Sequence, residues 1–329
     1  MKRVILPSKD KWELLCRRPV INRSELNDIV RKILNDVKTE GDRAVIEYTR
    51  RFDRVSLSSL KASHAEIVSS DDDVTSELRY AINIARRNIE KFHSVQMVKE
   101  PEVETMEGVR CQRKNVPVEK VGLYIPGGNA PLFSTVLMLA VPAQIAGCKE
   151  IILCTPPGPD GTISPFILYT AGLFGITSII KAGGAQAIAA MAYGTESIPR
   201  VHKIFGPGNQ YVTKAKEMVM QDGIATDLPA GPSEVLIIAD KNADPEFVAA
   251  DLLSQAEHGS DSLVLLLTDS VGIFNLVESA LNKQLKELPR KETASKALDN
   301  CMFILLKSID ECIDFSNLFA PEHLILNAS

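Results

Sequence analysis

The sequence predicts an α/β protein built on parallel sheets. Three observations carry that prediction. From Val118 onward, short apolar segments alternate with segments of helical spacing. Glycine- and proline-rich turns join the end of one strand to the start of the next helix. The alternation also comes in two sets, separated at residues 222–232 where glycine, aspartate and two prolines cluster.

Taken in order, residues 1–117 read as a helical arm with a hairpin. Leu26, Ile29, Val30, Ile33, Leu34 and Val37 recur at helical spacing, with Gly41 placed as a stop. Leu78, Ala81, Ile82, Ala85, Ile89 and Phe92 form a second stripe, and the acidic run Asp71-Asp72-Asp73 ahead of it favours a helix N-terminus. Residues 54–73 between them are rich in serine and charge and read as a connector with at most short pieces of structure. Around Glu107-Gly108, residues 102–106 and 109–113 pair as a hairpin.

Residues 118–228 form the first sheet. The strands fall at 121–125, 151–155, 178–181 and 203–205, and the helices at 134–146, 164–174, 185–193 and 211–220. Residues 229–329 form the second, with strands at 235–239, 262–268 and 301–306 and helices at 245–258, 271–288 and 308–319. Ligands of such sheets bind beyond the carboxyl ends of the strands, which puts Tyr124, Gly183, Gly184, Gln186, Gly208 and Asn209 on one rim. Asp227-Leu228-Pro229-Ala230-Gly231-Pro232-Ser233 reads as a crossing segment that lines the cleft.

Composition narrows the function classes. At 329 residues the chain has room for about two domains. Apolar residues at 45% and charged residues at 24% match an ordinary soluble protein, and a formal charge of -5 provides no basic stripe for nucleic acid. The opening is too short and too soon charged for a signal peptide, and the longest apolar run, 131–146, is broken by Ser134, Thr135, Pro142 and Gln144. Six cysteines without framework spacing point to a reduced, cytoplasmic protein. Cys148 and Cys154 read as buried small hydrophobes.

Individual motifs are suggestive but weak. In Ser254-Gln255-Ala256-Glu257-His258-Gly259, Gln255 and His258 share a helical face, so an amide oxygen and an imidazole converge on a cation or a polar ligand. A polar helix end capped by Gly259 explains the same six residues. The glycine-rich turns suit phosphate, but none is a dinucleotide fingerprint with its distant acid. Glu322-His323 follows Pro321 and offers two proton-moving groups, able to face one pocket from a loop but not from a regular strand.

Together these segments resemble the histidinol dehydrogenase family. The resemblance rests on residues 121–129, 182–190, 205–209, 228–234, 254–259 and 319–324, in order along nearly the whole chain. It implies an aldehyde-dehydrogenase-like architecture of two incomplete Rossmann-like domains with an N-terminal helical arm, and a homodimer. It also implies NAD and zinc as cofactors, and oxidation of L-histidinol through the aldehyde to L-histidine. Residue by residue, Tyr124, Gln186 and Asn209 match NAD contacts, and Ser233 matches a substrate contact. Gln255 and His258 match zinc ligands that border the substrate, while Glu322 and His323 match the proton acceptors, His323 also touching substrate. Zinc in the family resembles a template for the substrate's imidazole and amine. The family continues past the Glu-His pair with an aspartate and a histidine as further zinc ligands, the histidine from the partner subunit. Since this chain stops at Ser329, the resemblance implies a C-terminally truncated form with an incomplete zinc site, weak dimerisation and little turnover. A non-catalytic nucleotide-binding remnant is the alternative, and a cysteine-dependent aldehyde dehydrogenase relative a third reading.

Overall fold

The computed structural model describes residues 1–18, 23–127, 132–228, 233–260 and 262–329. The chain divides into two compact units, a continuous one of Asn22–Pro229 and a discontinuous one of Met1–Ile21 with Ala230–Ser329. The 1–117 arm is thus split between them. Strand β1 (Lys2–Ile5) and the short helix α1 (Trp12–Leu15) join the discontinuous unit, because β1 completes a backbone ladder there and Trp12 is buried in its core.

The continuous unit begins with α2 (Arg23–Glu40), which buries Val30, Ile33, Leu34 and Val37 and ends at Gly41, whose φ of 57° suits a residue without Cβ. A helix the stripes did not reveal follows, α3 (Asp42–Phe52), burying Ala44, Val45 and Tyr48. Within the 54–73 connector lies α4 (His64–Ser69), started by a reciprocal capping box between Ser63 and Glu66. Next come α5 (Ser76–Ser94), with Asp71 paired to Arg79 in its first turn at 3.2 Å, and the antiparallel hairpin β2 (Val103–Met106) and β3 (Val109–Cys111).

Beyond the hairpin the expected alternation holds: β4 (Lys120–Tyr124), α6 (Phe133–Ala146), β5 (Glu150–Thr155), α7 (Pro165–Gly172), β6 (Ser178–Lys181), α8 (Gly184–Tyr193), β7 (Lys203–Phe205), α9 (Gln210–Gln221) and the short β8 (Ala225–Thr226). These five strands run parallel in the order β6-β5-β4-β7-β8. The order reverses beside β4, between the strands that lead to α6 and α9, as in a Rossmann-like half. Alternate strand residues serve opposite faces. Ile152 and Cys154 pack with α2, α8 and α9, whereas Val121, Leu123 and Leu153 pack with α6 and α7. Of the turn 126–129, Gly128 and Asn129 lie outside the described residues.

The discontinuous unit repeats the plan with β9 (Glu234–Ala239), α10 (Pro245–Ala256), β10 (Leu263–Thr268), α11 (Val271–Leu285), α12 (Lys291–Leu298), β11 (Met302–Leu305), α13 (Ile309–Phe319) and β12 (His323–Asn327). All pairings in the order β1-β11-β10-β9-β12 are parallel. Val235, Ile237, Val264 and Leu266 face α10, α11 and α12, while Leu236, Ile238, Leu265 and Leu267 face α1 and α13. Two points correct the sequence reading. α10 ends at Ala256 with Glu257 as its C-cap, so Gly259 lies beyond the cap. His323 opens a strand rather than sitting in a loop, because residues 323–327 complete the sheet against β9. The crossing segment expected at 227–233 has Pro229, Ala230, Gly231 and Pro232 outside the described residues.

Candidate functional site

In the continuous unit the carboxyl rim carries a cleft of about 1110 Å³. Tyr124, Gln186 and Asn209, the three residues matched to NAD contacts, all line it, with Thr155, Gly183 and Gly184. Each is placed by a local rule. Tyr124 ends β4 and accepts the Gly184 N–H on its hydroxyl at 3.1 Å. Burial, aided by the negative charge of Asp53, pushes that hydroxyl up to about 12. Asn209 caps α9, its Oδ1 accepting from the N–H groups of Tyr211 and Val212 at 3.0 and 3.2 Å, which leaves its amide NH2 for another partner. The start of α8 behaves differently: Gly183 supplies no side-chain cap, and the first N–H, that of Gly184, is met instead by the Tyr124 hydroxyl.

The turn before α9 is clamped from below. Gly206 N–H donates to Asp227 Oδ2 at 2.8 Å, and the ammonium of the buried Lys216 donates to Gly206 O at 2.8 Å while pairing with Asp227. Gly206 has φ of 131°, and a Cβ there would collide with the Tyr124 carbonyl. Glycine is therefore required for the turn to pass under β4. Two acceptors in the cleft wall, Gln186 Oε1 and Thr155 Oγ1, are buried without a hydrogen-bond partner, as expected where a polar ligand supplies the donors.

In the discontinuous unit the candidate residues gather at the amino ends of the strands, the opposite rim from the one the parallel-sheet rule favours. Ser233 precedes β9 and is exposed, its carbonyl accepting from Leu263 N–H at 2.9 Å. Glu322 and His323 enter β12 beside it. Glu322 Oε2 accepts the Glu234 N–H at 3.2 Å, and His323 Nδ1 lies 3.1 Å from the Glu234 carbonyl. A carbonyl only accepts, so Nδ1 is the donor in this contact and Nε2 is the nitrogen turned to other partners. Glu322 Oε2 is 3.5 Å from the same Nδ1. Gln255 lies in the last turn of α10 and is buried, whereas His258 lies past the C-cap and is exposed, so the shared helical face expected of them ends before His258.

Two further residues that sequence patterns did not single out hold this rim. The Glu234 side chain is only 2% exposed and receives Arg18 through a two-pronged contact, Nε at 2.5 Å and an Nη at 2.8 Å. The same guanidinium donates to Phe319 O at 2.9 Å and Ala320 O at 3.2 Å, and its carbon lies 4.5 Å above the Phe319 ring. Arg18 thus ties β9 to the corner from which Glu322 and His323 emerge. No local spacing signals this pair, because 216 positions separate its members.

The six cysteines are free. Cys154 is fully buried against α8, and burial alone pushes its thiol far up, the reverse of what a nucleophile needs. Cys148 is likewise raised by burial. Neither thiol is poised as a nucleophile, which counts against the cysteine-dependent aldehyde dehydrogenase reading.

Residues 16–329 match the protein family described as Histidinol dehydrogenase. A relative of that name from Bacteroides thetaiotaomicron is 57% identical over 326 residues, 99% of this chain and 76% of that protein. One from Escherichia coli K12 is 53% identical over 315 residues, 95% of this chain and 72% of that protein. The crystal structure of histidinol dehydrogenase from Elizabethkingia anophelis is similar with a TM-score of 0.95 at 55% identity, covering 99% of this chain and 75% of that one.

Proposed function

We propose, on the premise that this chain belongs to the histidinol dehydrogenase family, that it oxidises L-histidinol through L-histidinaldehyde to L-histidine with two NAD. A non-catalytic nucleotide-binding remnant is not favoured, since relatives named as this oxidoreductase match along 99% of the chain, through both units.

The observation that carries the mechanism is the 3.1 Å contact between His323 Nδ1 and the Glu234 carbonyl. With Nδ1–H held on the Glu234 carbonyl, Nε2 takes the proton from the alcohol. Glu322 then faces the imidazolium from 3.5 Å and offsets its charge. In the second step the Glu322 carboxylate, oriented by the Glu234 N–H, removes a proton from the water that adds to the aldehyde. NAD, when bound, accepts the hydrogen and electron pair leaving the substrate carbon in each step. Tyr124, Gln186 and Asn209 would hold it, and the orphaned Gln186 and Thr155 oxygens with the uncapped start of α8 suit its hydroxyls and pyrophosphate.

Zinc, the family's metal, is matched less completely. Gln255 offers an amide oxygen and His258 an imidazole nitrogen. Among the described residues no group of three or more His, Cys, Asp or Glu side chains comes together. Two donors fall short of the three or four that zinc takes, and no step above runs through the metal. Ser233 and His323, exposed on the same rim, are the substrate contacts. NADH formation from L-histidinol with zinc supplied tests the function, with two NADH per histidinol expected. Absence of any histidinol-dependent NADH would count against it.

The partner is a second copy of the chain. Every residue from Pro101 to Pro117, the hairpin β2–β3 included, is exposed, with Val103, Met106, Val109 and Val116 open to solvent. A two-stranded ribbon is marginal alone and needs a covering surface. Val103→Lys with Val109→Lys is expected to shift the chain from dimer to monomer in sedimentation velocity. An unchanged mass would remove the hairpin from the interface. No helix among the described residues is long and apolar enough to cross a membrane. The six free thiols accord with a reducing, cytoplasmic location.

A further inference from the structure

A Rossmann-like half ordinarily places an acidic side chain at the end of its second strand, where it accepts the hydroxyls of the adenosine ribose. Here the second strand of the sheet in chain order is β5, and it ends at Thr155-Pro156-Pro157; the next acid, Asp160, lines the cleft but is taken up by the Thr162 N–H and hydroxyl. The cleft contains a second acid, from elsewhere. Asp53, the residue that ends α3, lines the same cavity as Tyr124, Gln186, Asn209 and Thr155. Its Oδ2 is buried and has no hydrogen-bond partner. Lys32 of α2 and Arg51 of α3 also line the cavity, but neither forms a salt bridge with Asp53 among the described residues. A half-buried carboxylate left without donors is costly unless a ligand brings them.

We propose that Asp53 is the specificity-determining residue of this cleft, accepting the vicinal hydroxyls of the adenosine ribose and so selecting NAD over a dinucleotide with a 2′-phosphate. The assignment rests on the reading of the cleft as the NAD site. The helical arm thereby supplies the acid that β5 lacks. A 2′-phosphate would bring a dianion against an unscreened carboxylate and remove one of the hydroxyl donors.

Burial raises the Asp53 carboxyl to about 6. The ionised carboxylate accepts from both hydroxyls, whereas the protonated acid keeps one acceptor oxygen and turns the other into a donor, so NAD affinity is highest above that value and weakens as pH falls through it. The other titratable groups lining the cleft are Lys32, Tyr48, Arg51, Tyr124, Asp160 and Tyr211. Of these, Asp160 is held below the ordinary carboxylate range by hydrogen bonds from Thr162, and Tyr48 and Tyr124 are shifted upward by burial. None of these three shifts moves a group toward the same window.

The test is equilibrium binding of NAD and NADP, by calorimetry, to the wild-type chain, Asp53→Asn and Asp53→Ala, between pH 5 and 7.5, with thermal unfolding as a control for folding. Both variants are expected to weaken NAD about tenfold, to narrow the NAD-to-NADP preference by at least as much, and to abolish the fall in NAD affinity on acidification. Folded variants that keep the wild-type preference and pH profile would overturn the role of Asp53 alone. A wild-type chain that binds neither dinucleotide would overturn the NAD reading of the cleft itself.

Discussion

His323→Asn lowers the rate of alcohol oxidation by about 10²- to 10⁴-fold, the range general-base catalysis supplies, while NAD affinity and the unfolding temperature stay near wild type. The separation follows from the geometry. The imidazole is exposed, its Nδ1 meets the Glu234 carbonyl, and an asparagine amide can keep that contact while offering no base at the Nε2 position. Rapid mixing of chain, NAD and L-histidinol, followed by NADH, measures the loss directly. Glu322→Gln keeps an acceptor for the Glu234 N–H but cannot take a proton from water. Its expected phenotype is accumulation of aldehyde, with the NADH yield falling from two per histidinol toward one. If His323→Asn turns over histidinol within a few-fold of wild type, the base lies elsewhere. If Glu322→Gln still yields two NADH at an unchanged rate, water is activated by another group.

The second large effect is on stability. Arg18→Met strips the partner from a carboxylate that is only 2% exposed, leaving Glu234 buried and uncompensated. The expected loss is about 3 kcal/mol, at the low end for such a deletion because Arg18 is itself partly exposed. Glu234→Met alone is destabilising as well, but the double variant regains much of the loss, since an apolar pair of similar volume avoids the unpaired charge. Urea unfolding of the four proteins gives the coupling. Losses that simply add would mean that the fork contributes nothing as a pair. The double variant is also expected to lose activity, because Arg18 braces the Phe319 and Ala320 carbonyls just ahead of Glu322.

The alternating part of the chain was legible because each strand and helix there is apolar enough to show its period, and the residues matched to NAD fall on a rim that strand order alone defines. The misses have physical causes. α3 carries Ala44, Val45 and Tyr48 at helical spacing, but Arg43, Glu47, Arg50 and Arg51 interleave them. α12 buries only Ala294, Ala297 and Leu298, and two small side chains leave little periodic signal. β12 follows a proline turn and lies at a sheet edge, and its apolar run Leu324-Ile325-Leu326 is too short to show a period. Its reading as a loop misplaced His323, which opens the strand. Arg18, Glu234 and Asp53 act through partners or cavities that only folding assembles.

The pairing of β1 with β11 has a consequence for synthesis. Residues 2–5 are made long before the strand they join, which begins at Met302. At about 5–20 residues per second, roughly 15–60 s pass before that partner has been translated. Throughout that interval the continuous unit can complete its own sheet, while β1 trails as an unpaired edge protected chiefly by Lys2 and Arg3, whose charges discourage it from adding to another chain. Closing the discontinuous unit is therefore a late event that joins two segments far apart in the sequence.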